Sequence, residues 1–190
     1  MFTNFRRYLQ EKAAFTEADL KTVEEVCIYR HLKAGEKLLA EGETWHHNAF
    51  VYQGLTRGYR INHNGEEQTI NFSPEDYWTG DREALLTGRP TCVNIEALVD
   101  TDLLLIEKTD FDYLCTNVVP FSEFMTNLIQ RNLEAYHKRL DENRAFTDDE
   151  KVLAFIQKFP TVMSRAPLHT IATYLDIDSY KLKFLLDTLS

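Results

Sequence analysis

Five residues near the C-terminus carry the chemistry that is easiest to read: Ser179, Tyr180, Lys181, Lys183 and Phe184. Hydroxyl and ammonium groups this close together suit phosphate oxygens, and Lys183 could also reach an acceptor on a base edge. Phe184 has no obvious duplex partner except a thymine methyl group. Phe184 and Tyr180 therefore also fit a second reading, in which they pack on another protein or on the rest of the same chain. No arginine accompanies the two lysines. The chemistry points to DNA, but with few charges.

The elements that position these residues are legible from apolar spacing. Leu168, Ile171, Ala172 and Leu175 fall at i, i+3, i+4 and i+7, and Leu182, Leu185, Leu186 and Leu189 repeat that pattern. Each set lines one face of a short helix. Between them Asp176 tolerates a left-handed turn and Asp178 is a good N-cap for the second helix. Two helices joined in this way make a helix-turn-helix, which places its second helix in a DNA major groove. The five residues then occupy the outward face of that second helix, together with Asp187 and Thr188.

Other chemistry is poorly supported. His46, His47 and His63 suggest a metal site, but adjacent residues on a strand point to opposite faces, and no spaced carboxylate completes a ligand set. They read as loop histidines around Trp45. Asp81 and Glu83 lie near each other without a nucleophile or a tuned base. No phosphate-binding loop or dinucleotide fingerprint is present. Cys27, Cys92 and Cys115 are odd in number and scattered, as in a reduced cytoplasmic protein. Catalytic and metal residues are therefore expected to be none.

The chain has 190 residues and a net charge of −9. From Pro120 onward ten acids face nine bases, so −8 of that charge lies in residues 1–119. Such a balance opposes indiscriminate binding to polyanions, yet lets the C-terminal part approach DNA. No apolar stretch is long enough to cross a membrane. Arg6 and Arg7 have no apolar run behind them, which is not the pattern of a signal peptide.

All seven glycines lie between Gly35 and Gly88, which marks a turn-rich β region followed by helices. Residues 2–30 read as helical. Strands are expected at Ala49–Gln53, Thr56–Asn62, Glu67–Phe72, Val93–Leu98 and Leu103–Ile106, with a hairpin at Asn64-Gly65. Short strands at this spacing suggest a small antiparallel barrel or jelly roll. Pro120 opens a long helix whose apolar stripe, from Phe121 to Leu140, is broader than one seam. One side could lie on the barrel and the other on an identical helix, although a purely intramolecular helix fits the pattern equally well. Thr147 caps the next helix, which Pro160 ends. The expected fold class is α+β. It comprises a sensor barrel over 1–119, a connecting and dimerisation helix over 120–145, and an all-α helix-turn-helix domain over 146–190.

That order resembles the Crp/Fnr family of bacterial transcription regulators, in the short form common in Bacteroidetes. The resemblance rests on Leu32 to Leu38 (LKAGEKL), Phe50 to Tyr59 (FVYQGLTRGY), Tyr77 to Asp81 (YWTGD) and Ile171 to Leu175 (IATYL). It implies a cyclic-nucleotide-binding-like barrel, a homodimer through the long helix, and double-stranded DNA as partner. In members that bind cyclic AMP, a Gly-Glu pair opens a short helix, and an Arg-Ser or Arg-Thr pair follows to hold the phosphate. Here the first pair is Gly80-Asp81, and Pro90-Thr91-Cys92 stands at the second, where proline offers neither charge nor N–H. Gly80, Asp81, Arg82, Arg89 and Thr91 are the candidate ligand residues, with Arg82 or Arg89 displaced but near enough to meet an anion. The expectation is a pocket without cyclic nucleotide recognition, either empty or fitted to another small molecule, and no assured cofactor. At the last helix, Lys183-Phe184 stands where the short members often carry Ser-Arg. This leaves two readings: a dimeric regulator with a DNA-reading last helix, or a sensor or interaction module that kept the fold and lost DNA recognition.

Overall fold

In the computed structural model, which describes residues 2–189 and leaves aside the side chains of Glu142, Asn143 and Leu189, the glycine-rich stretch forms two facing antiparallel sheets. In chain order the strands are β1 (Ile28–Leu32), β2 (Lys37–Leu39), β3 (His47–Gln53), β4 (Leu55–Ile61), β5 (Glu67–Pro74), β6 (Trp78–Thr79), β7 (Asn94–Ala97) and β8 (Thr101–Glu107). One sheet runs β1-β8-β3-β6 and the other β2-β7-β4-β5. This is the jelly-roll form of the expectation. The barrel is not closed, because the ladders run within each sheet and not between them. The chain changes sheet at Gly54, whose φ is +110° and where an added Cβ would lie 2.5 Å from the Thr101 hydroxyl. Only glycine fits that crossing.

The inner strands of the first sheet, β3 and β8, are buried on both faces, which explains their apolar runs, whereas the edge strand β1 is largely exposed. Ala49, Val51, Leu103 and Leu105 point between the sheets, around Trp45 and Ile95. Phe50, Leu104 and Ile106 point the other way, onto helices. Those helices are α1 (Thr3–Gln10), α2 (Glu17–Glu25), α4 (Lys108–Asn117) and α5 (Val119–Ala145), while α3 (Arg82–Thr87) is a single short turn beside β6. The expected helical reading of 2–30 needs correction. Thr16 and Asp19 form a capping box that starts a separate α2, and residues 28–32 pair with β8 as a strand. A cap and a long-range ladder override local helical spacing there.

Pro120 sits in the first turn of α5 as expected. Phe121, Phe124 and Met125 are buried on the sheet side, whereas Ile129, Leu133 and Tyr136 are exposed at i, i+4 and i+7. The broad stripe therefore splits into a packed end and an uncovered one. His47 is also corrected, since it lies on β3 and is half-buried against Trp45 rather than in a loop.

The C-terminal helices are α6 (Asp148–Lys158), α7 (Pro160–Met163), α8 (Leu168–Leu175) and α9 (Ser179–Leu189). Their core is continuous with the second sheet. Val152, Phe155, Phe159, Ile171, Leu175, Leu182 and Leu185 pack with Leu55 of β4 and Phe72 of β5. Polar contacts follow the same seam. Arg165 holds Glu75 through two hydrogen bonds of 2.7 and 2.8 Å, and Glu75 accepts the Gly54 N–H at 2.9 Å. Arg139 donates to the Ile70 carbonyl at 2.6 Å and lies 4.0 Å over the Tyr174 ring.

Burial alone would raise the Glu75 pKa, but Arg165 and the Gly54 N–H outweigh it and hold the carboxyl below its ordinary value. A depressed carboxylate contributes its full stabilisation above the unfolded pKa, about 4.3 for glutamate, and loses it as pH falls through the folded value. Glu75→Gln is therefore expected to flatten the fall in denaturation midpoint below about pH 4.3 relative to the parent chain. Urea titrations at a series of pH values would check this, and parallel curves would contradict it.

Candidate ligand pocket and nucleic-acid interface

The Gly80-Asp81 pair does open a short helix, α3, and its geometry shows what the two residues do. Gly80 has φ +134°, and a Cβ there would lie 2.7 Å from the Trp45 indole nitrogen. Trp45 therefore packs directly beneath the turn. Asp81 is the N-cap: one carboxylate oxygen accepts the Ala84 N–H at 3.1 Å, and the other accepts the Thr91 hydroxyl at 2.6 Å. Thr91 is buried and also accepts the Val93 N–H at 3.0 Å. Three of the five candidate ligand residues thus meet, but their polar atoms bond to one another and to local backbone.

The other two remain apart from that cluster. Arg82 is exposed and lines a cavity of about 200 Å³ between the turn, β3 and α5. Arg89 is exposed and is not among the residues lining that cavity. Much of the wall is aromatic or apolar, including Trp45, Trp78, Leu85 and Met125. His47 also lines it, and burial holds its imidazole below the ordinary pKa. Sequence reasoning missed both tryptophans as pocket residues, because only the fold brings positions 45, 78 and 125 together. Arg82 is the one arginine in that wall among the described residues.

At the other end of the chain the turn between α8 and α9 follows the sequence closely. Asp176 is left-handed, with φ +56° and ψ +48°. Asp178 caps α9 by accepting the N–H groups of Tyr180 at 2.9 Å and Lys181 at 3.2 Å. Leu182 and Leu185 face the core, so the opposite side of the helix points to solvent. Tyr180 is 87% exposed and Phe184 67% exposed. Packing of these two rings on the barrel of the same chain, one of the sequence alternatives, is therefore ruled out. Lys183 is exposed, and Ser179 is half-buried at the start of the helix. Lys181 pairs with Asp148 in the first turn of α6, which raises the lysine pKa and lowers that of the carboxyl. No sequence signal joined those two residues.

Comparison with known proteins fits this geometry. Residues 29–117 match the cyclic nucleotide-binding domain family. Among solved structures, FixK2 from Bradyrhizobium japonicum superposes with a TM-score of 0.73 at 18% identity, covering 86% of this chain and 84% of that one. A chain from Eubacterium rectale assigned to the crp/fnr family of transcriptional regulators gives 0.66 at 16%, covering 92% and 83%. This chain has the Crp/Fnr-type fold. The catabolite activator protein of Thermus thermophilus also shares it, with a TM-score of 0.60 at 17% identity over 96% and 86% of the two chains. No curated protein matches in sequence.

Within this Crp/Fnr-type fold, Asp81 is expected to act as a cap and not as a ligand group. Asp81→Ala should cost about 0.5–2 kcal/mol of stability. Cyclic AMP at millimolar concentration should give no saturable heat by titration calorimetry with either chain. Saturable binding to the parent chain that is lost in the variant would overturn this assignment.

Proposed function

We propose that the chain is a dimeric DNA-binding transcription regulator of the Crp/Fnr type. Residues 1–119 act as a small-molecule sensor without cyclic nucleotide recognition, 120–145 as the dimerisation helix, and 146–190 as the reader of DNA in the cytoplasm. The observation that carries this reading is the position of α9. It is capped by Asp178, buried on its leucine side, and free to solvent along Tyr180, Lys181, Lys183 and Phe184. A helix presented in that way can enter a major groove. Support for the dimer comes from Ile129, Leu133 and Tyr136, which leave an apolar stripe uncovered on α5. An identical helix would cover it at coiled-coil spacing.

A second reading has its own support. Two exposed aromatic rings and a lysine already engaged by Asp148 also suit a protein-binding face. In that case the fold serves a sensor or interaction module without DNA recognition, and Phe184→Ala should weaken the protein complex.

Sheared genomic DNA from the host, mixed with the purified chain at low salt and sequenced after retention, separates the two. The regulator reading expects a two-fold symmetric site, with an affinity that falls steeply with salt as phosphate contacts release counterions. Lys181→Glu combined with Lys183→Glu should abolish that enrichment while leaving the melting temperature within a few degrees. Unchanged retention in the double variant would defeat the assignment of α9.

A further inference from the structure

A larger cleft lies away from the Gly80-Asp81 turn, where the second half of α5 meets α6 and the end of α8. Its volume is about 640 Å³, within the usual range for small-molecule sites. Its charge is unusual for this chain. Lys138, Arg139, Lys151 and Lys158 all line it, and no carboxylate does among the described residues. Cationic side chains gathered along one cleft attract anions.

Two of these cations are held in place. Arg139 is stacked on Tyr174 and donates to the Ile70 and Tyr174 carbonyls, which uses two of its five N–H groups. Lys151 is largely withdrawn from water, and its ion pair with Asp148 is long, at 3.8 Å. Half of the remaining wall is aromatic. Phe155 and Tyr174 form part of it, and Phe146 stands half-open to solvent in the link between α5 and α6.

We propose that this cleft binds an aromatic anion: a flat ring against Phe146, Phe155 and Tyr174, with its phosphate or carboxylate group toward Arg139 and Lys151. Rings stack on aromatic side chains, and a fixed guanidinium is a preorganised partner for either anion. The site is separate from the roll interior and does not use Asp81 or Thr91. An occupant would touch both α5 and α6 and so bridge the joint between the sheets and the helix-turn-helix. That regulatory consequence rests on the DNA-binding reading; the binding itself does not.

The test uses the full chain and 8-anilinonaphthalene-1-sulfonate as a fluorescent aromatic anion, with no DNA present. One saturable site per chain is expected, at least tenfold weaker in Lys151→Gln and in Phe146→Ala. Displacement by ADP would identify a phosphate-bearing ligand, and displacement by 2-naphthoate a carboxylate; either supports the site. Affinity unchanged in both variants would overturn it. So would a probe displaced by neither compound, or displaced equally well by inorganic phosphate alone. Melting curves establish that each variant is folded, and if Lys151→Gln is not, Phe146→Ala decides. Because DNA is absent, this result stands apart from that of the genomic-fragment experiment.

Discussion

The arrangement depends on one aromatic joint. Phe72 projects from the outer face of the second sheet and packs 5.8 Å from Phe155, 6.4 Å from Phe159 and 5.2 Å from Tyr174, measured between ring centroids. Burying one such ring stabilises by about 1.5–3 kcal/mol, and each well-placed aromatic pair adds about 0.5–1.5 kcal/mol. Leu55 adds an aliphatic contact from the neighbouring strand, and the Arg165–Glu75 and Arg139–Ile70 contacts close the seam. The C-terminal helices therefore share a core with the sheet. The direction in which α9 points is set by the strands, and a change in the sheet has a packed route to it.

Much of this was legible in the sequence where local chemistry decides the outcome. Leucine spacing gave both helices of the last unit, and the roles of Asp176 and Asp178 follow from what an aspartate can do at a turn and a cap. Asn64-Gly65 gave its hairpin, with Gly65 at φ +82°, and Pro120 gave the start of the long helix. What was illegible needed partners far along the chain. The largely exposed strand β1 is held by its pairing with β8. Arg57 sits buried in β4 because Glu67 and Glu96 accept its guanidinium, and nothing near it in sequence shows this. The candidate pocket behaved in the same way. The Gly80-Asp81 pair was visible, but its use as a cap locked to Thr91 and seated on Trp45 was not.

The electrostatics of the two ends differ accordingly. The acidic excess belongs to residues 1–119, and the C-terminal part is almost neutral. Asp148 draws Lys181 toward α6, yet an exposed pair of this kind contributes little to stability. A phosphate oxygen could replace it at little cost, so the pair orients the lysine without removing it from use. With two lysines per copy on α9, affinity would depend on two copies acting together. The uncovered stripe on α5 therefore matters as much to the proposed function as α9 does.

The most direct measurement is the distance between the two copies of α9 in solution. Spin labels at Asp187→Cys, in a chain whose three cysteines are replaced by serine, would report it by pulsed dipolar spectroscopy. A two-fold dimer that reads DNA gives a single narrow distribution centred at roughly 34 Å, one turn of B-form DNA. A chain that shows no dipolar coupling, or labels spread over a broad range, would contradict a two-fold dimer built to read DNA.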